Sequence, residues 1–122
     1  MTNSGELPDL VDFSQIDALL EVAGRDGVND ILDAFWRSTD NLTNQLRAFL
    51  SESNFTEAAK AAHALKGSAA NVGASLLALA AREIEMGCKT GDAAAASSAL
   101  HSLSDAHCKT RSAMAERVEK AA

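Results

Sequence analysis

The sequence predicts an all-α protein, an antiparallel up-down-up-down four-helix bundle with an additional short helix at its N-terminus. Three observations carry that expectation. Alanine and leucine are abundant, and the single proline is Pro8, so nothing beyond the first few residues would interrupt a long helix. Apolar residues recur three and four apart in successive segments, the spacing that gathers side chains on one face of an α-helix. The polar stretches between those segments are short, and short connections between amphipathic helices force antiparallel neighbours. At 122 residues the chain suffices for one hydrophobic core. Residues 11–122 are expected to form a single bundle domain behind a flexible lead, residues 1–10, which is short, polar and contains Pro8.

Asp12 or Ser14 can cap a first short helix whose apolar positions Phe13, Ile16, Leu19 and Leu20 share a face, and Gly24 is placed to stop it. After Gly27 comes the most regular segment, with Val28, Leu32, Phe35, Thr39, Leu42, Leu46 and Phe49 spaced alternately four and three apart. That is the seam of a bundle helix, and Trp36 beside it is placed to cover the first helix. The connection Ser51-Glu52-Ser53-Asn54 leads into a helix over residues 55–72, with Asn54 and Glu57 in a capping-box spacing and Gly73 as its stop. The next helix returns with Leu77, Ala80, Ala81, Ile84 and Cys88 on one stripe and Glu85 on its margin. Thr90-Gly91-Asp92 reads as a stop followed by an N-cap, opening a last helix with Ala96, Leu100, Leu103, His107, Thr110, Met114 and Val118 on one side.

The formal net charge of −6 opposes binding to nucleic acid, which needs clustered cationic side chains. No apolar run reaches the ~18 residues a membrane span needs, and the start Met1-Thr2-Asn3-Ser4-Gly5-Glu6 lacks the basic and apolar regions of a signal peptide. A cytoplasmic protein with no membrane or nucleic-acid partner is expected, and a monomer. Cys88 and Cys108 lack metal-type spacing, and two cysteines in a chain that is not secreted are expected to stay reduced.

The helix over residues 55–72 carries the chemistry. Ala58, Ala61, Ala62, Leu65, Ala69 and Val72 form one stripe, and His63 stands almost opposite it among Ala59, Lys60, Lys66, Gly67 and Ala70. His63 should therefore point outward, flanked by two ammonium groups and overlooked one turn later by a residue with no side chain. An exposed glycine in mid-helix costs about 1 kcal/mol relative to alanine, and no packing requirement explains it here. A face on which another molecule comes close does explain it. His101 falls on the exposed side of the last helix without such surroundings, and His107 on its core stripe, as a hydrogen-bonded interior residue.

The string His63-Ala64-Leu65-Lys66-Gly67-Ser68-Ala69-Ala70-Asn71-Val72-Gly73-Ala74 resembles the signature of histidine-containing phosphotransfer (HPt) domains of bacterial and plant phosphorelays. That signature is a phosphorylatable His, an aliphatic residue two later, Lys-Gly-Ser, and Gly-Ala after a few small residues. Ala69 departs from it where a second Ser is frequent, on a buried position that any small residue can serve. The resemblance implies an antiparallel four-helix bundle, with an acidic or amide residue on the next helix where Glu85 lies. It also implies a phosphocarrier that is not an enzyme: His63 takes a phosphoryl group from a receiver domain's aspartyl phosphate, or returns it to one, without autonomous kinase activity.

The implied partners are response-regulator receiver domains and a hybrid histidine kinase. No cofactor or metal is expected on this chain, Mg²⁺ belonging to the partner receiver. Within that reading Lys66 stabilises the phosphoryl charge, Gly67 permits the receiver's close approach, and Glu85 orients the His63 ring. Two other function classes fit a helical bundle: an HPt-like docking module that binds a receiver or histidine kinase without carrying phosphate, and a cofactor-binding bundle with histidines as axial ligands. The outward placement of His63 argues against the second.

Overall fold

The computed structural model describes residues 10–121, which form four α-helices: α1 (Phe13–Ser51), α2 (Phe55–Asn71), α3 (Ser75–Thr90) and α4 (Ala93–Lys120). Contacts run around the bundle, α1 on α2, α2 on α3, α3 on α4 and α4 back on α1. The connections are two or three residues long, so each helix returns antiparallel to the last. The expected short first helix and the long seam helix are two segments of α1. At Gly24 the backbone takes φ 71° and ψ 178°, so the helix breaks there and restarts at once, ahead of the Gly27 boundary expected from the sequence.

Asp12 is the N-cap of α1, its carboxylate accepting from the Ser14 backbone N–H at 3.1 Å. Ile16 is fully buried, and the first segment of α1 is tied to the far end of α4 by the Arg117–Asp17 pair at 2.6 Å. Arg25 donates from the restart of the helix to the Glu119 and Ala121 carbonyls, which the end of α4 leaves free.

Of the expected lead, residues 1–9 lie outside the described residues, and Leu10 packs against the core. The Leu10 carbonyl accepts from the Leu76 N–H at 3.3 Å, and the Asp12 N–H donates to the Gly73 carbonyl at 2.7 Å. These bonds strap the start of the chain across the α2–α3 turn. The Leu10 carbonyl also serves α3, whose N-cap residue Ala74 has no side chain able to cap it.

The core is built on leucines and on alanines. Leu46, Leu65, Leu77, Ile84, Leu103 and Met114 are fully buried. The buried stripe of α2 is mostly alanine, with Ala58, Ala61, Ala62 and Ala69, and that of α3 includes Ala80 and Ala81 beside Leu77, Ile84 and Cys88. Small residues at a helix contact let the axes approach to the short end of the usual 8–10 Å range or so, and that brings side chains on the rims of α2 and α3 within reach of each other.

The opposite flank, between α1 and α4, is more polar. The hydroxyls of Thr39, Thr43 and Thr110 are buried there with no hydrogen-bond partner among the described residues. His107 differs from the hydrogen-bonded interior residue expected: it is half-buried, and its Nε2 lies 3.6 Å from Asp40 Oδ1, too far for a hydrogen bond. Its ring instead stacks on Trp36, centroids 4.9 Å apart at 20°. Trp36 thus packs toward α4 rather than over the first helix. Desolvation holds the His107 pKa below the ordinary imidazole value, the nearby Asp40 opposing that shift.

Gly73 closes the α2–α3 turn with φ 79°, and a Cβ there would collide with the Asp12 carbonyl oxygen. Gly73→Ala therefore meets both left-handed backbone strain and the strap. It is expected to destabilise the fold by about 1–3 kcal/mol, read as a lower urea midpoint at unchanged m-value.

Candidate functional site

The α2 helix starts at its Asn54 cap, whose side chain accepts from the Glu57 N–H at 3.3 Å, one half of a capping box. The other half is absent, because the Asn54 N–H donates to the Phe49 carbonyl at 2.8 Å and the Glu57 carboxylate is paired with Lys60 at 3.1 Å. Burial of Ala58, Ala61, Ala62, Leu65 and Ala69 fixes the rotation of the helix about its axis. His63 consequently projects outward, its side chain 68% exposed. Ser68 is half-buried and donates to the Leu65 carbonyl at 3.4 Å, a local bond to the preceding turn.

From α3, between the buried Ile84 and Cys88, Glu85 reaches across to α2. The residue is only 5% exposed, yet its carboxylate has three partners. Oε2 lies 3.0 Å from His63 Nδ1 and 3.1 Å from Lys89 Nζ, and Oε1 accepts from Lys66 Nζ at 3.0 Å. Burial pushes the Glu85 carboxyl up, and the bonds from Lys66, Lys89 and His63 outweigh it, holding the pKa at about 2. Glu85 is thus an anion at neutral pH and can only accept, so the proton of a neutral His63 ring sits on Nδ1. The lone pair is then on Nε2, the ring nitrogen not engaged by Glu85.

The structure brings His63, Lys66 and Glu85 together. Lys66, expected at the phosphoryl group, has its ammonium on Glu85 Oε1 in this structure. Gly67 lies on the exposed face one turn beyond His63, and a Cβ built there meets nothing within 4 Å. No intramolecular contact requires glycine at that position. Beside His63 an open groove runs between α2 and α3, with Phe55, Ala59 and Cys88 on its floor and Lys60 and Lys89 on its rim. Burial raises the Cys88 thiol pKa; Cys88 and the exposed Cys108 are both unbridged. Among the described residues no three His, Cys, Asp or Glu side chains gather where a metal ion could be held.

Lys89 is the site residue that the sequence reading passed over. Its signal was present, since a lysine four residues after a glutamate on one helix is the favourable orientation for an ion pair. The hidden element was that Glu85 faces the histidine, which made its helical partner part of the site.

The sequence matches the family model described as the Hpt domain over residues 30–121. The chain belongs to the Hpt domain family. Among solved structures, this Hpt domain is similar to the histidine-containing phosphotransfer protein MtHPt2 from Medicago truncatula, with a TM-score of 0.79, 21% identity, and coverage of 91% of this chain and 78% of that one. It is also similar to the histidine-containing phosphotransfer protein ZmHP2 from maize, with a TM-score of 0.76, 25% identity, and coverage of 91% of this chain and 86% of that one. No curated protein matches the sequence. The Hpt domain acts in histidine phosphotransfer within phosphorelay signalling, as a phosphocarrier that engages receiver domains or histidine kinases. None of its described helices is long and apolar enough to cross a membrane.

The depressed Glu85 pKa has a thermodynamic consequence with a definite sign. An unfolded Glu85 takes up its proton near pH 4.5 and the folded one only near 2, so the stability contributed by the cluster is present above pH 4.5 and lost as pH falls toward 2. The stability gap between wild type and Glu85→Gln, about 1 kcal/mol at neutral pH once solvent screening of the exposed lysines is counted, is expected to close across that window. Urea denaturation of both proteins at a series of pH values checks it.

Proposed function

We propose that His63 is the residue that carries the phosphoryl group, accepting it from a receiver domain's aspartyl phosphate and able to return it to another receiver. The observation that carries this reading is the hydrogen bond from the His63 ring to buried Glu85, which fixes the ring and leaves Nε2 unprotonated on an exposed face.

The transfer then needs no base within this chain. The Nε2 lone pair attacks phosphorus, the N–P bond forms, and the bond from phosphorus to the aspartyl oxygen breaks, its electron pair leaving with the carboxylate. The Nδ1 proton stays on the ring, which becomes an imidazolium opposite the Glu85 anion. Positioning and charge stabilisation are the whole of the catalytic requirement in phosphoryl transfer of this kind. Mg²⁺ belongs on the receiver, where the acyl phosphate is made and held. The module has no autonomous kinase activity on this reading, and it works as a monomer in the cytoplasm. A docking module that never carries phosphate would have no use for a ring held in one tautomer.

Gly67 supports the same reading, because about one helical turn, ~6 Å along the axis, separates it from His63 on the face a receiver must approach.

Incubated with a phosphorylated receiver, the wild-type protein should acquire an acid-labile, alkali-stable label. His63→Gln should acquire none, while His101→Gln and His107→Gln label normally. A label that persists in His63→Gln removes the assignment.

Gly67→Gln adds a long side chain to open space on a helix that tolerates it well. It is expected to be as stable as wild type or up to about 1 kcal/mol more so, with receiver affinity and transfer rate both at least tenfold lower. Calorimetry and stopped-flow transfer measure the two arms. A Gly67→Gln variant that accepts phosphate at the wild-type rate would place the docking face elsewhere.

A further inference from the structure

The two lysines bound to Glu85 are not equivalent. Lys66 reaches Oε1 from α2 with its side chain only 34% exposed, and it takes no part in the groove beside His63. Lys89 lies on α3 with its side chain 65% exposed, lines that groove, and shares Oε2 with His63 Nδ1. One carboxylate oxygen therefore holds both the ring that receives the phosphoryl group and an exposed, flexible ammonium.

We infer that Lys89 is the side chain that binds the phosphoryl oxygens on His63, released from Glu85 when the ring becomes cationic, while Lys66 stays on Glu85 as its fixed counter-ion. The inference rests on phosphoryl acceptance by His63 as proposed above. The ring that attacks must be the neutral one, and beside it Oε2 has Lys89 as its only full positive charge. The N–P bond turns the ring into an imidazolium whose Nδ1–H already points at Oε2, so that oxygen acquires a second cation at the moment an anionic phosphoryl group appears at Nε2. The charge count then favours moving one ammonium from carboxylate to phosphoryl.

Lys66 is the wrong one to move. Its departure would leave Oε1 of a buried carboxylate without a partner, a costly loss even with Oε2 doubly served. Lys89 leaves behind an oxygen that the ring now serves, and its four-carbon stem is exposed and free to swing. Lys60, the other cation on the rim, is held by Glu57 on its own helix.

The test uses the full chain phosphorylated with phosphoramidate, a small donor that needs no partner protein, and reads the phosphoryl group by ³¹P NMR between pH 5.5 and 9. A cation in contact with the phosphoryl oxygens lowers the pKa at which they take up their proton. Lys89→Gln should raise that pKa by about 0.5 unit or more, a roughly threefold change in proton affinity, and Lys89→Arg should restore it. Lys66→Gln should move it by less than about half as much while lowering the thermal midpoint, since its charge serves Glu85.

Circular dichroism of each variant verifies the fold, and peptide mapping of the label locates the phosphate. If His63 carries the phosphate and Lys89→Gln titrates like wild type, or if Lys66→Gln shifts the titration as far, the assignment of Lys89 is overturned and His63 keeps its role. If mapping finds the phosphate on another residue, both fall together.

Discussion

One buried carboxylate decides how this surface works. Glu85 sits on α3 and every group it orders except Lys89 sits on α2, so the site exists only because the two helices pack closely enough for a side chain to cross between them. The alanines of the α2 stripe, with Ala80 and Ala81 on α3, leave room for that closeness. A carboxylate so placed would be a liability alone, since removing a charge from water costs several kcal/mol. Two ammonium groups and an imidazole N–H offset that cost, and the same bonds select the ring tautomer. The energetic requirement of the carboxylate and the chemical requirement of the histidine are met by one set of contacts.

Much of this was legible in the sequence. The stripe on α2 fixed the direction of His63, because every residue from Ala58 to Val72 that the spacing placed inward is buried. The turn at Gly91 and the cap at Asp92 also followed from local chemistry, with φ 73° at the glycine and the Asp92 carboxylate accepting from the Ala95 N–H at 3.0 Å. Periodicity reports on one helix at a time, and what it left out depended on two. Lys66 and Lys89 bind the same carboxylate from different helices, and nothing in either helix alone says so. Trp36 beside its seam is placed by the sequence over the first helix, and only the assembled bundle shows it stacked on His107. Leu10 follows a polar stretch in the sequence, and its contact with the core and its carbonyl's bond to Leu76 depend on the α2–α3 turn it crosses, which no single segment's patterning reveals.

The strap formed by Leu10 and Asp12 shows the bundle supplying from its backbone what its side chains lack. Ala74 at the start of α3 cannot cap a helix, yet a capping residue with a larger side chain would have to fit where Ala74 is fully buried. The chain arriving from the N-terminus brings the Leu10 carbonyl to the amide of Leu76, and Gly73 makes room for the same chain at the Asp12 carbonyl. The start of α3 is thereby anchored, and with it the helix that aims Glu85.

The unpartnered hydroxyls between α1 and α4 divide the molecule energetically. Each buried hydroxyl without a partner costs about 1–3 kcal/mol of desolvation, and Thr39, Thr43 and Thr110 lie together on the flank opposite the α2–α3 pair. Fluctuations that admit water recover that cost on the α1–α4 side and recover nothing on the alanine-packed side. The α1–α4 seam is accordingly the less tightly held side of the bundle, and it lies away from the α2–α3 contact that joins His63 to Glu85.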